Sequence, residues 1–135
     1  MDDLAQANIL EHYKEPRNHG TIDHPTVSHE ESNPLCGDRV RMDLLIKDGV
    51  IEDMRFSGRG CTISQATASM LTEALKGQSV DEAKQFGRDD VLDLLGIPIG
   101  YARMKCAMLG LKALKVAVYT ADGQTWDQSE LEVQR

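Results

Sequence analysis

The stretch NPLCGDRVRMDLLI, Asn33 to Ile46, sets Cys36 two residues ahead of Asp38, with a glycine between them, at the mouth of an alternating apolar run. A soft sulfur donor beside a hard carboxylate on a turn is a pairing that a metal ion can use. Two more cysteines stand apart from it, Cys61 after SGRG and Cys106 after YARMK. No two of the three form a CxxC pair, so the setting of each thiol has to make the case. Three thiolates leave a tetrahedral ion one donor short, and Asp38 is the candidate for the fourth place. The plainer readings are buried, inert thiols and an aspartate that merely serves a turn. A structural zinc module is a further alternative, in which removing the metal unfolds the chain.

Other chemistries find less support. His12, His19, His24 and His29 all fall in the first thirty residues, and none has zinc-pair spacing to a cysteine. They read as surface or packing residues. GxSxG, HExxH, a Walker loop and GxGxxG are all missing from the sequence, which removes the common signatures of hydrolases and nucleotide binders.

The elements that must position the thiols follow from periodicity. DDLAQANILEHYKE reads as a helix with Leu4, Ala7, Ile9 or Leu10, and Tyr13 on its core face. TVSHEES is a weak strand, and RVRMDLLI a strong one, with Val40, Met42, Leu44 and Ile46 alternating against charged residues. Asp48-Gly49 is a hairpin turn into VIEDMRFSG, whose alternation falters near Ile51. TISQATASMLTEALKG then switches to helical spacing. SVDEAKQF follows as a short helix, with Ser79 as its N-cap and Glu82 in the capping-box position, and GRDDVLDLL is another. A longer helix follows the IPIG loop, with Met104, Met108, Leu111 and Val118 inward. Strands first and helices after predict an α+β domain, a small three-stranded antiparallel sheet with helices on one face. All 135 residues suit one domain, with about 122–135 read as a loosely held tail.

On this scheme Cys36 lies in the turn before the strong strand, Cys61 directly before a helix, and Cys106 near the start of the last helix. A helix N-terminus lowers a thiol pKa, so Cys61 and Cys106 are expected as thiolates. Gly37, Gly58 and Gly60 would let backbone approach a ligand closely. Acidic residues outnumber basic ones, 22 to 15, for a net charge of −7, which disfavours nucleic acid as a partner. No apolar run reaches the ~20 residues of a membrane span, and MDDLAQANIL lacks the layout of a signal peptide. The expected compartment is the cytoplasm, where three cysteines are thiols rather than disulfides.

HYKEPRNHG, NPLCGDRVRM, FSGRGCTISQATASML and KCAMLGLKAL occur in that order. Together they resemble the iron–sulfur cluster assembly scaffolds of the IscU, NifU N-terminal and SufU type, over nearly the whole chain. The resemblance implies that Cys36, Asp38, Cys61 and Cys106 hold zinc or a nascent [2Fe–2S] cluster. It also implies a cysteine desulfurase as sulfur donor and apo iron–sulfur proteins as acceptors, a scaffold or sulfur acceptor rather than an ordinary enzyme. Cys106, opening a helix beside a glycine-containing loop, is the expected persulfide acceptor. IscU-type chains carry a histidine before the third cysteine and a Leu-Pro-Pro-Val-Lys motif upstream. This chain has Lys105 and GIPIGYARMKC there, so a dedicated Hsp70 chaperone is not implied. ARMKCAMLGLKALK is SufU-like, although the 44 residues between Cys61 and Cys106 match the short version without the usual SufU insertion. A zinc-bound sulfur shuttle that builds no cluster is the alternative within the family.

Overall fold

The computed structural model describes residues 2–34 and 37–128. Among these the elements run α1 (Asp2–Lys14), β1 (Val27–Asn33), β2 (Asp38–Lys47), β3 (Val50–Arg59), α2 (Thr62–Leu75), α3 (Val80–Gln85), α4 (Arg88–Leu95) and α5 (Tyr101–Ala121). The strands form one antiparallel sheet in the order β1-β2-β3. Val40, Met42 and Leu44 on β2 are fully buried, as are Met54 and Phe56 opposite them on β3. Helices α2 and α5 cover that face, giving the α+β architecture that the periodicity predicts. No helix of the described residues is long and apolar enough to cross a membrane.

Local chemistry explains the joints. Asp48 and Gly49 both adopt left-handed backbone, φ 53° and 75°, which matches the twist of a two-residue hairpin. The faltering alternation near Ile51 is a bulge. The register passes from Leu45↔Asp53 to Ile46↔Ile51, so Glu52 is the extra residue and Ile51 turns into the core. Ser79 caps α3 as expected, its hydroxyl accepting from the Glu82 amide at 3.0 Å.

Two expectations need correction. Of the apolar stripe assigned to α1, only Ile9 is buried. Leu4, Leu10 and Tyr13 are 77%, 47% and 43% exposed, whereas Ile9 and His12 are buried. The reason lies in α2, which presents Ser69 and Glu73 to α1. His12 Nδ1 meets Ser69 Oγ at 2.7 Å and its Nε2 lies 3.4 Å from Glu73, so a histidine suits that surface better than a leucine does. The supposed loose tail is also packed at its start. The Gln124 amide donates to the Tyr119 carbonyl at 2.8 Å, and Trp126 is buried, because an indole recovers more by burial than any other side chain near it. Residues 129–135 of that tail lie outside the described residues.

Candidate metal centre

Asp38 opens β2 and points to the same side as Val40 and Met42, almost fully buried. Cys61 is the N-cap of α2, so the short link from β3 sets its position. Two glycines make that link. A Cβ on Gly58 would fall 2.0 Å from the Arg39 carbonyl oxygen, and one on Gly60 would fall 2.4 Å from Asp38 Oδ1. Both have φ near +150°, which L side chains rarely adopt. Glycine is therefore required for the link to press against the start of β2. The Cys61 amide donates to Asp38 Oδ1 at 3.1 Å, tying the carboxylate to the helix start.

Polar groups behind the thiols hold this arrangement. Ser64 Oγ donates to the Cys61 carbonyl at 3.1 Å, and Gln65 Nε2 donates to Ser64 Oγ at 3.1 Å and to the Arg39 carbonyl at 3.4 Å. Gln65 thus bridges β2 and the first turn of α2. The sequence reading passed over both residues. The available signal was two polar residues just after a cysteine N-cap, on a helix otherwise destined for the core.

Cys106 arrives from the other side, one turn into α5, and is buried, whereas Cys61 is exposed. Asp38, Cys61 and Cys106 place one ligand atom each within 4.8 Å of one another. Zinc–sulfur bonds of ~2.3 Å in a tetrahedron put donors roughly 3.8 Å apart, so the group is of the right size for one ion. The three donors share one sign of charge when ionised. Burial, the Asp38 hydrogen bond and neighbouring Cys61 accordingly push the Cys106 thiol well above the ordinary cysteine range. This corrects the expectation of a helix-activated Cys106 thiolate. In the second turn it lies beyond the reach of the exposed N–H groups, and a cation among the donors would be what ionises it. Cys36 lies outside the described residues. Among the described histidines none joins the group: His12 is taken up by Ser69, His19 stands edge-on to Phe56, and His29 bonds Glu31. Beside the thiols a cavity of about 450 Å³ runs along α5, lined by Tyr101, Met104, Lys105, Met108 and Trp126 among others.

Residues 4–126 match the model of the NifU-like N-terminal domain. The chain belongs to that family. Its relatives include the zinc-dependent sulfurtransferase SufU of Bacillus subtilis strain 168, 36% identical, with 91% of this chain and 95% of that protein covered. The iron–sulfur cluster assembly scaffold protein IscU of Escherichia coli K12 is 34% identical, covering 82% of this chain and 88% of the other. Among solved structures, a protein of Fervidobacterium islandicum AW-1 assigned to the SUF system as a cluster assembly scaffold superposes with a TM-score of 0.74. That pair shares 25% identity over 82% of this chain and 93% of its own. In this NifU-like N-terminal domain the arrangement of Asp38, Cys61 and Cys106 lies where the sheet, α2 and α5 converge.

Proposed function

We propose that this NifU-like domain holds zinc or a nascent [2Fe–2S] cluster on Cys36, Asp38, Cys61 and Cys106, and receives sulfur there from a cysteine desulfurase in the cytoplasm. The observation that carries the reading is the convergence of the three described donors within 4.8 Å. The sulfurtransferase and scaffold names of its relatives extend both cargoes to this chain. Zinc, when bound, would keep the sulfurs ionised at neutral pH. The chain's own residues then divide the work. Gly60 leaves room for the Asp38 carboxylate, whose oxygen is a poorer match than sulfur for a soft site and so favours release. Ser64 and Gln65 hold the Cys61 backbone.

In sulfur transfer, a thiolate of this chain attacks the terminal sulfur of the desulfurase persulfide. The new Sγ–S bond forms as the donor's S–S bond breaks, and the donor cysteine leaves as a thiolate, with no net redox change. Cys106 is the proposed acceptor. It is far less exposed than Cys61. The exposure of Cys61 supports a second reading, in which Cys61 receives the sulfur first.

The test is an anaerobic reaction with the desulfurase of the same genome, cysteine and ferrous iron. It is followed by visible absorption and by mass spectrometry of each cysteine-bearing peptide. A cluster spectrum that depends on Cys36, Cys61 and Cys106 and passes to an apo-ferredoxin supports a scaffold. Zinc retained, desulfurase turnover raised and no cluster supports the shuttle. No sulfur gained on any cysteine and no cluster would overturn both. Asp38→Ala is expected to lengthen the life of a bound cluster and slow its transfer, and an unchanged transfer rate would count against Asp38 as the exchangeable donor.

A further inference from the structure

Charge pairing in this molecule is uneven. Away from the thiols, Arg17, Arg41, Arg55, Lys76, Lys84 and Lys112 each have a carboxylate within 3.6 Å. Around the thiols the pattern lapses. Arg59, two residues before Cys61, and Arg103 and Lys105, just before Cys106, are exposed. None of the three makes an ion pair with a described residue. Arg39, next to Asp38, reaches only Glu30, at 3.9 Å. Arg39 and Arg59 also stand directly opposite each other on β2 and β3, an arrangement of like charges that weakens a sheet. Among the described residues Lys14, on α1, is the other exposed cation with no ion pair, and Lys47, beside the hairpin turn, matches Arg39 with Glu52 at 3.9 Å.

In a chain with 22 acidic residues against 15 basic ones, intramolecular partners are in surplus. Cations left over at one end, at some cost to the sheet, are therefore not explained by folding. We infer that Arg39, Arg59, Arg103 and Lys105 form a basic rim that docks an acidic surface of a partner protein over the thiols. The rim spans the outer face of the sheet and the first turn of α5, so its charges are spread around the site rather than focused in a pocket. That spread fits an extended acidic protein surface better than one small anion. The net charge of −7 opposes nucleic acid and anionic lipid. With a partner acidic only near its reactive group, the same net charge would repel misoriented encounters while the rim attracts the aligned one.

This inference rests on the reading of the thiol end as a site of sulfur transfer, and it assigns that acidic surface to the desulfurase. The experiment is stopped-flow association of the zinc-loaded full chain with the desulfurase of the same genome, over a series of salt concentrations. Wild-type association should slow steeply with salt. R59E/R103E should slow it by about tenfold or more at low salt while changing dissociation less. R59Q/R103Q, which adds no new charge, should fall between the two, and Lys14→Glu should match wild type. Zinc content, measured on every variant, reports whether the site itself has survived. Association indifferent to salt, or equally fast in both arginine variants with zinc retained, overturns the rim. Preference of the rim for duplex DNA or anionic vesicles over the desulfurase would overturn it too. Absence of any association by wild type at every salt concentration overturns the sulfur-transfer reading itself, and the rim with it.

Discussion

Helix α2 carries a partly buried polar cluster at each end, and the two are built on opposite principles. Near its C-terminal end, Ser69 accepts from the Arg17 amide at 2.8 Å, His12 closes on Ser69, and Glu73 stands beside both His12 and Arg17. Donors meet acceptors and opposite charges meet, so this cluster fastens α1 to α2 and is complete as it stands. At the N-terminal end, Asp38, Cys61 and Cys106 converge as three groups that would all be anions when ionised. Burial and those neighbours keep the proton on Cys106. The first cluster is a clasp, and the second is a set of like-signed groups that a cation would complete. Burial of polar groups does not by itself distinguish structure from function. The signs of the charges and the completeness of the network do.

The sharpest way to break the comparison is to remove one member of each cluster. Cys61→Ser or Cys106→Ser should weaken zinc binding by roughly a hundredfold or more, taking a quarter of the ~10–16 kcal/mol that four ligands supply. Competition with a chelator measures it, and the metal-free melting temperature should barely change for the exposed Cys61. His12→Ala should do the reverse. It takes one of their partners from Ser69 and Glu73, which keep Arg17, and opens a buried site, so it should cost about 2 kcal/mol of stability, read by urea unfolding, with zinc stoichiometry unaltered. A loss of zinc in His12→Ala would show that the clusters are coupled through α2.

Thiol reactivity sharpens the same contrast. In the metal-free protein at pH 8, Cys61 should react with an alkylating reagent about tenfold faster than Cys106, because exposure favours one and the raised pKa disfavours the other. Zinc should protect both. Comparable rates would mean that Cys106 is not held as a thiol.

The two clusters should also respond to pH at opposite ends of the scale. Burial, then the Arg17 charge, hold the His12 imidazole below its ordinary value. The unfolded chain therefore takes up a proton more readily, and stability present above about pH 6.5 is lost as the pH falls through the lowered value. For Cys106 the folded state holds its proton more tightly. The stability it confers on the metal-free chain is present below the ordinary thiol pKa of about 8.5 and is lost as the pH rises beyond it. Melting curves from pH 5 to pH 10 should show both declines. His12→Gln should remove only the acidic one, and zinc should abolish the alkaline one. The smallest effect belongs to the misread face of α1. Leu4→Gln should change stability by less than about 0.5 kcal/mol, whereas Ile9→Ala should cost roughly 2–4 kcal/mol.

How much of this was legible beforehand depended on the range of the interaction. The hairpin at Asp48-Gly49, the Ser79 cap and the strand pattern of Val40, Met42 and Leu44 are local, and backbone preference declares them in a few residues. The α1 face was misread because hydrophobic spacing assumes an apolar partner, and α2 offers Ser69 and Glu73 instead. Trp126 was placed in a loose tail because its neighbours are polar, and only a distant cavity along α5 could tell otherwise.

The sequence by itself determined the order of the elements and the family, and it singled out the candidate donors, since these depend on residue identity and local spacing. It also placed Cys61 at a helix start. Only the tertiary structure decided that Cys61 is open and Cys106 buried, and that Gly60 is the space Asp38 fills. It alone showed that, among the described residues, Arg59, Arg103 and Lys105 make no ion pair while most cations elsewhere do. Exposure, desolvation and charge pairing belong to groups far apart in the chain, and they come into being when the sheet, α2 and α5 meet.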